Sequence, residues 1–92
     1  MDINASKKHV EEMCLSIATE YGVKLNMEWN THVSNDEWSD EQTSHTLSVS
    51  DIYKTTMEKQ IRFVEPQLLD CDNKVSKLRI VRDIVQLCED VK

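Results

Sequence analysis

"VKLNMEWNTHVSNDEWSDEQTSHTLSVS", residues 23–50, decides the fold. In its first part Val23, Leu25, Met27 and Trp29 are separated by Lys24, Asn26 and Glu28. Apolar residues at a period of two mark a strand with one buried face, and Trp29 belongs to that face. The last part alternates again, with His45, Leu47 and Val49 on one side and Thr46, Ser48 and Ser50 on the other. Between them "SNDE", residues 34–37, supplies turn-forming side chains. The stretch predicts an antiparallel β-hairpin whose far end is polar and acidic. Two strands alone are marginally stable, so helices must cover one face.

Outward from the hairpin the period changes. Upstream, Val10, Met13, Cys14, Ile17, Ala18 and Tyr21 recur at helical spacing and form one stripe. Asn4 or Ser6 is placed to cap that helix, and Gly22 stands where a left-handed residue ends it. Downstream, Ser48-Val49-Ser50-Asp51 has the form of a helix start. Ile52, Tyr53, Met57, Ile61 and Val64 follow at helical spacing, which predicts a helix over 51–65 closed by Pro66. Pro66 also fits the first turn of another helix. In that last helix Leu68, Cys71, Val75, Leu78, Val81, Val85 and Cys88 make one stripe, and Ile80, Ile84, Leu87 and Val91 a second flank. So wide an apolar arc suits either the central helix of the fold or a helix with one flank on a partner subunit. The expected class is α+β: an N-terminal helix, an antiparallel hairpin and two C-terminal helices in one domain, residues 1–92.

Size bounds what such a chain can do alone. At 92 residues it buries roughly 60–65% of its unfolded surface, so its own core is thin and a homodimer is expected. One Gly and one Pro argue for long regular elements and few tight loops. No segment approaches the ~18 uninterrupted apolar residues of a membrane span, and "MDINASKKHVEEM" has no apolar run of the signal-peptide kind. Cys14, Cys71 and Cys88 are odd in number, widely spaced and on apolar faces, which suits reduced, buried thiols. Together these place the chain in the cytoplasm.

Most catalytic and binding chemistries leave patterns that are missing here. His9-Val10-Glu11 lacks the Pro-Cys-x-x-Cys of the zinc deaminases, and "HVEEM" is not His-Glu-x-x-His. The cysteines never come as Cys-x-x-Cys, so no metal site is expected. Asp70-Cys71-Asp72-Asn73 begins like a calcium loop, but the required Gly is absent and Val81 stands where Glu should close it. Asp70 or Asp72 reads better as the cap of the last helix. One glycine cannot build a phosphate loop, so no nucleotide cofactor is expected. His32 and His45 have no nucleophile in sequence reach, and an enzyme would need one of them in a concave pocket. The basic residues from Lys54 to Arg82 are interleaved with acids, so no phosphate-binding surface is expected either.

What remains is an uneven charge. Residues 1–50 hold three basic and nine acidic side chains, a net of −6, whereas residues 51–92 hold eight of each. No Lys or Arg occurs between Lys24 and Lys54. Concentrating like charges costs a few tenths of a kcal/mol per neighbour, which a loop kept only for solubility has no need to bear. Trp38 sits inside the cluster and either packs on the domain's own helices or anchors a partner. A stiff acidic surface invites comparison with duplex DNA, which carries a charge every ~1.7 Å and is met by arrays of Lys and Arg. The expected partner-binding set is Glu12, Glu20, Glu28, Asp36, Glu37, Trp38, Asp40 and Glu41.

In length, acidity and helix–hairpin–helices order the whole chain resembles the anti-restriction nuclease proteins of T-even phages. These are DNA mimics that block a host restriction enzyme for modified DNA. The resemblance implies a phage-encoded, catalytically inert inhibitor acting in the host cytoplasm on a basic DNA-binding groove, with neither direct nucleic-acid contact nor a membrane partner. The reading that competes with it is a small dimeric adaptor or regulatory subunit, using the apolar arc of residues 80–91 as its contact.

Overall fold

The computed structural model describes residues 2–34, 41–54 and 57–91. Helix α1 (Ile3–Tyr21) leads into strands β1 (Leu25–Ser34) and β2 (Gln42–Asp51), then β3 (Lys59–Val64), the short helix α2 (Glu65–Leu69) and helix α3 (Lys74–Val91). The strands form one antiparallel sheet in the order β1-β2-β3. The α+β class and the hairpin expected from alternation are both present. Within the hairpin Trp29 lies opposite Leu47 and Met27 opposite Val49.

Alternation sends every second side chain to the helices. Leu47, Val49, Ile61 and Phe63 are buried against Val10, Cys14 and Ala18 of α1 and Ile80, Ile84, Leu87 and Cys88 of α3. Leu25, Met27 and Trp29 pack on the margin of that core, and the Trp29 and Phe63 rings meet with centroids 6.4 Å apart. The opposite face carries Asn26, Glu28, Asn30 and His32 of β1 beside Ser44, Thr46, Ser48 and Ser50 of β2. The result is two layers, helices on one face of a sheet, drawn out to 46 × 24 × 20 Å.

Several expectations are corrected. The described residues of 51–64 are not a helix: β2 runs on to Asp51, a turn with Lys54 at φ 53° follows, and 59–64 add a third strand. Here Ile61 and Phe63 are buried while Gln60 and Arg62 are exposed, a period of two hidden inside a list that also fitted a helix. Ile52, Tyr53 and Met57, which completed the helical pattern, are all exposed. The hairpin had one unpaired edge beside an apolar core, and β3 satisfies it; tertiary pairing overrode local spacing.

The caps differ as well. Asp2 caps α1, its Oδ1 accepting from the Ala5 amide at 2.7 Å, and Ser6 is buried inside the helix. Asn73, rather than Asp70 or Asp72, caps α3, accepting from the amides of Val75 (2.8 Å) and Ser76 (3.2 Å). The chain first turns through 70–73, so the long stripe from Leu68 splits between α2 and α3. Gly22 ends α1 at φ 69°, with its amide returned to the last turn, as its position suggested. Finally, of the wide arc on α3 the flank of Ile80, Ile84 and Leu87 takes the core, while Val75, Leu78 and Val81 stay exposed. No described helix is long and apolar enough to cross a membrane.

All three cysteines are free and buried. Burial, then the Glu11 carboxylate and Cys88, push the Cys14 thiol from 9.0 up to about 12. The unfolded chain ionises this thiol at the ordinary value, so folding stability falls as pH rises past 9.0 toward 12. Unfolding free energies measured by urea between those limits should fall less steeply in Cys14→Ala than in the parent. In a separate measurement, Asn73→Ala should lose about 1 kcal/mol, and Asp72→Ala less than that.

Candidate functional site

The basic-free window from 25 to 53 contains both paired strands β1 and β2. β3 pairs only with residues 44–49 of β2, so the outer pairs of the hairpin, Val33–Thr43 and Ser34–Gln42, lie beyond the three-stranded body. Residues 30–34 are exposed throughout. This arm is where the sequence concentrates its carboxylates.

Glu28 is exposed on β1, on the sheet face turned away from the helices, opposite Ser48. Glu41 is exposed at the foot of β2, next to the Ser34–Gln42 pair. Six strand residues separate Glu28 from that pair, roughly 20 Å along the arm. Glu12 is exposed on α1 at the angle opposite the buried Val10–Cys14–Ala18 stripe, and Glu20 is exposed nearer its end. Glu12 therefore points away from the sheet on the helix side, and Glu28 points away on the other. The two do not share a surface. Asp36, Glu37, Trp38 and Asp40 lie outside the described residues.

Among the described residues Lys77 and Asp72 lie 3.8 Å apart, as do Arg82 and Asp83, and the rings of His9 and His45 stand 2.7 and 3.8 Å from the carboxylates of Asp72 and Glu65. None of them involves Glu12, Glu20, Glu28 or Glu41. Glu11 behaves differently. Its Oε1 accepts from the Trp29 indole N–H at 3.1 Å, and Lys7 lies over the same ring at 5.5 Å. Arg79 lies over Phe63 in the same way, 5.4 Å from its centroid. Glu11 is a fixture of the core margin.

The two hairpin histidines part company. His32 is exposed on β1. His45 is buried, with Nδ1 3.1 Å from the Thr31 hydroxyl and Nε2 facing a Glu65 oxygen at 3.8 Å. A carboxylate on that side favours a proton on Nε2, leaving Nδ1 to accept from Thr31. No three His, Cys, Asp or Glu among the described residues gather into a group able to hold a metal.

Sequence reasoning also missed a feature outside the hairpin. Val75 (75% exposed) and Leu78 (58%) stand with Arg79 and Arg82 around an open recess of about 370 Å³ on α3. The spacing had placed both on an apolar stripe, but nothing in it says which of two overlapping stripes the core will take. No family model, curated protein or solved structure matches the chain.

Proposed function

We propose that the chain is a non-catalytic acidic inhibitor that imitates the charge of DNA and occupies the basic DNA-binding site of another protein, such as a restriction endonuclease. The observation that carries this reading is the set of carboxylates Glu12, Glu20, Glu28 and Glu41, none within 4 Å of a described Lys or Arg, on a molecule whose residues 25–53 contain no Lys or Arg. A hairpin anchored by Trp29, Leu47 and Val49 holds its charges with little entropy left to lose on binding.

The hairpin sequence, with Glu28, Asp36, Glu37, Asp40 and Glu41 and with Trp38 as its aromatic anchor, is the contacting element. Glu12 and Glu20 act through the field, which reaches about 8–10 Å at physiological salt. In this reading, which follows the resemblance to the anti-restriction proteins, the inhibitor acts in a host cytoplasm, and the thin core of a 92-residue chain makes a homodimer the expected form. A second reading, the adaptor, is favoured by one feature: the exposed Val75, Leu78 and Val81 of α3. They replace the arc of 80–91, whose Ile80, Ile84, Leu87 and Cys88 lie in the chain's own core.

Replacing Asp36, Glu37, Asp40 and Glu41 together by Lys should abolish inhibition of the target while leaving the thermal transition in place. Retained inhibition by that folded variant would sink the reading. Affinity for the target should also fall steeply between 50 and 200 mM salt, on the order of 10³-fold if six charges engage. A flat salt dependence, with binding lost instead on Leu78→Glu, would select the adaptor.

A further inference from the structure

The free edge of β1 is the least protected feature of the molecule. Edge strands present unpaired amides and carbonyls, and proteins blunt them with Lys, Pro, bulges or brevity. β3 follows that rule: six residues, with Lys59 and Arg62 in the strand and Pro66 just after it. β1 does not. Its ten residues, "LNMEWNTHVS", contain no Lys, Arg, Pro or Gly, and they pair without a bulge along their whole length.

Which groups face outward follows from the pairing. The Ile52 amide donates to the Lys24 carbonyl at 3.0 Å, and the Ser44 hydroxyl reaches the His32 carbonyl. Even-numbered residues of β1 thus turn their backbone groups to β2. Met27, Trp29, Thr31 and Val33 turn theirs to the open edge.

We propose that a second copy of this chain pairs on that edge, β1 antiparallel to β1, with the two-fold axis through Asn30. In this register Met27 faces the partner's Val33, and Trp29 faces the partner's Thr31, each pair exchanging backbone hydrogen bonds between outward-facing groups. On the other face Glu28 meets the partner's His32. Centring the pairing two residues earlier would set Glu28 against Glu28, and two residues later His32 against His32. Asn30 is the centre that makes the strand complementary to itself in apolar pairing and in charge together.

Two exposed apolar side chains fall where this arrangement covers them. Val33, 49% exposed, receives Met27 of the other copy. Leu15, 44% exposed, lies one turn beyond Glu11 on the flank of α1 that overlooks Trp29 of the edge strand. The axis is perpendicular to the sheet, so both helical layers share one face and the two α1 helices come side by side there. The product is a continuous six-stranded sheet. It stands apart from the reading of the acids, since a dimer can form whether or not they imitate DNA.

The test combines sedimentation with cross-linking. The parent chain should sediment as a dimer, and Asn30→Cys should form a disulfide between copies under mild oxidation, because residues facing across a non-hydrogen-bonded antiparallel pair stand about 4.5 Å apart at Cα. Asn26→Cys, whose counterpart in this register is Ser34, should not. Val33→Pro removes only an outward amide, and should raise the dimer dissociation constant at least ~10-fold with the monomer still folded. If Val33→Pro fails to fold, charge decides: His32→Glu should weaken the dimer, and Glu28→Lys with His32→Glu should restore it. A monomer at all concentrations would overturn the proposal. So would a dimer that Asn30→Cys fails to cross-link and that neither substitution weakens.

Discussion

The structure depends on β2 being paired on both sides while its apolar side chains are covered on one. Leu47 and Val49 sit at the centre of the sheet, opposite Trp29 and Met27 on one strand and Ile61 and Lys59 on the other, and both are fully buried. Remove the third strand and one side of β2 opens; remove the helices and the same residues meet water. Every other element is placed by that double requirement. α1 lays Val10, Cys14 and Ala18 on the sheet, α3 adds Ile80, Ile84 and Leu87, and the short α2 fills the corner with Leu68. A chain of 92 residues has little to spare beyond this. The scarcity of glycine and proline is the compositional trace of long elements joined by few turns.

How far this was legible depended on whether one period or two could be fitted. α1 is unambiguous, because Val10, Cys14, Ala18 and Tyr21 fit a helix and nothing else, and Gly22 marks its end. β1 and the inner part of β2 are equally plain. Residues 52–64 are the failure. Ile61 and Val64 fitted a helix, while Ile61 and Phe63 fitted a strand, and the deciding fact was an unsatisfied edge on β2 that no local window contains. The same blindness affected α3, where two apolar stripes competed and only the position of the sheet chose between them. Asn73 was overlooked as a cap because two aspartates stood nearby. The turn through 70–73 settles that choice, and it is tertiary.

Of the acidic set, exposure was readable and direction was not. Glu12, Glu20, Glu28 and Glu41 are all in solvent, as their place in the sequence suggested. Charge counting could not tell that Glu12 and Glu28 leave the molecule on opposite sides, nor that Glu11 is held by the Trp29 indole. In the proposed reading the hairpin carboxylates make the contact and the helix charges are background. The separation matters physically, since a carboxylate on the far face adds field but makes no contact.

One compositional fact underlies both the charge of the arm and the openness of its edge. A lysine in β1 would do two things at once: neutralise a neighbouring carboxylate and guard unpaired backbone groups against another strand. The window from 25 to 53 has neither lysine nor arginine, so it leaves both undone. A lysine would make the surface less negative, and β1 carries neither proline, bulge nor brevity in its place. Negative charge alone does not close an edge here, for Glu28 has His32 two pairs away on the same face, ready to oppose it in a second copy. Covering β1 with an identical strand, as proposed above, closes the edge without adding a single positive side chain.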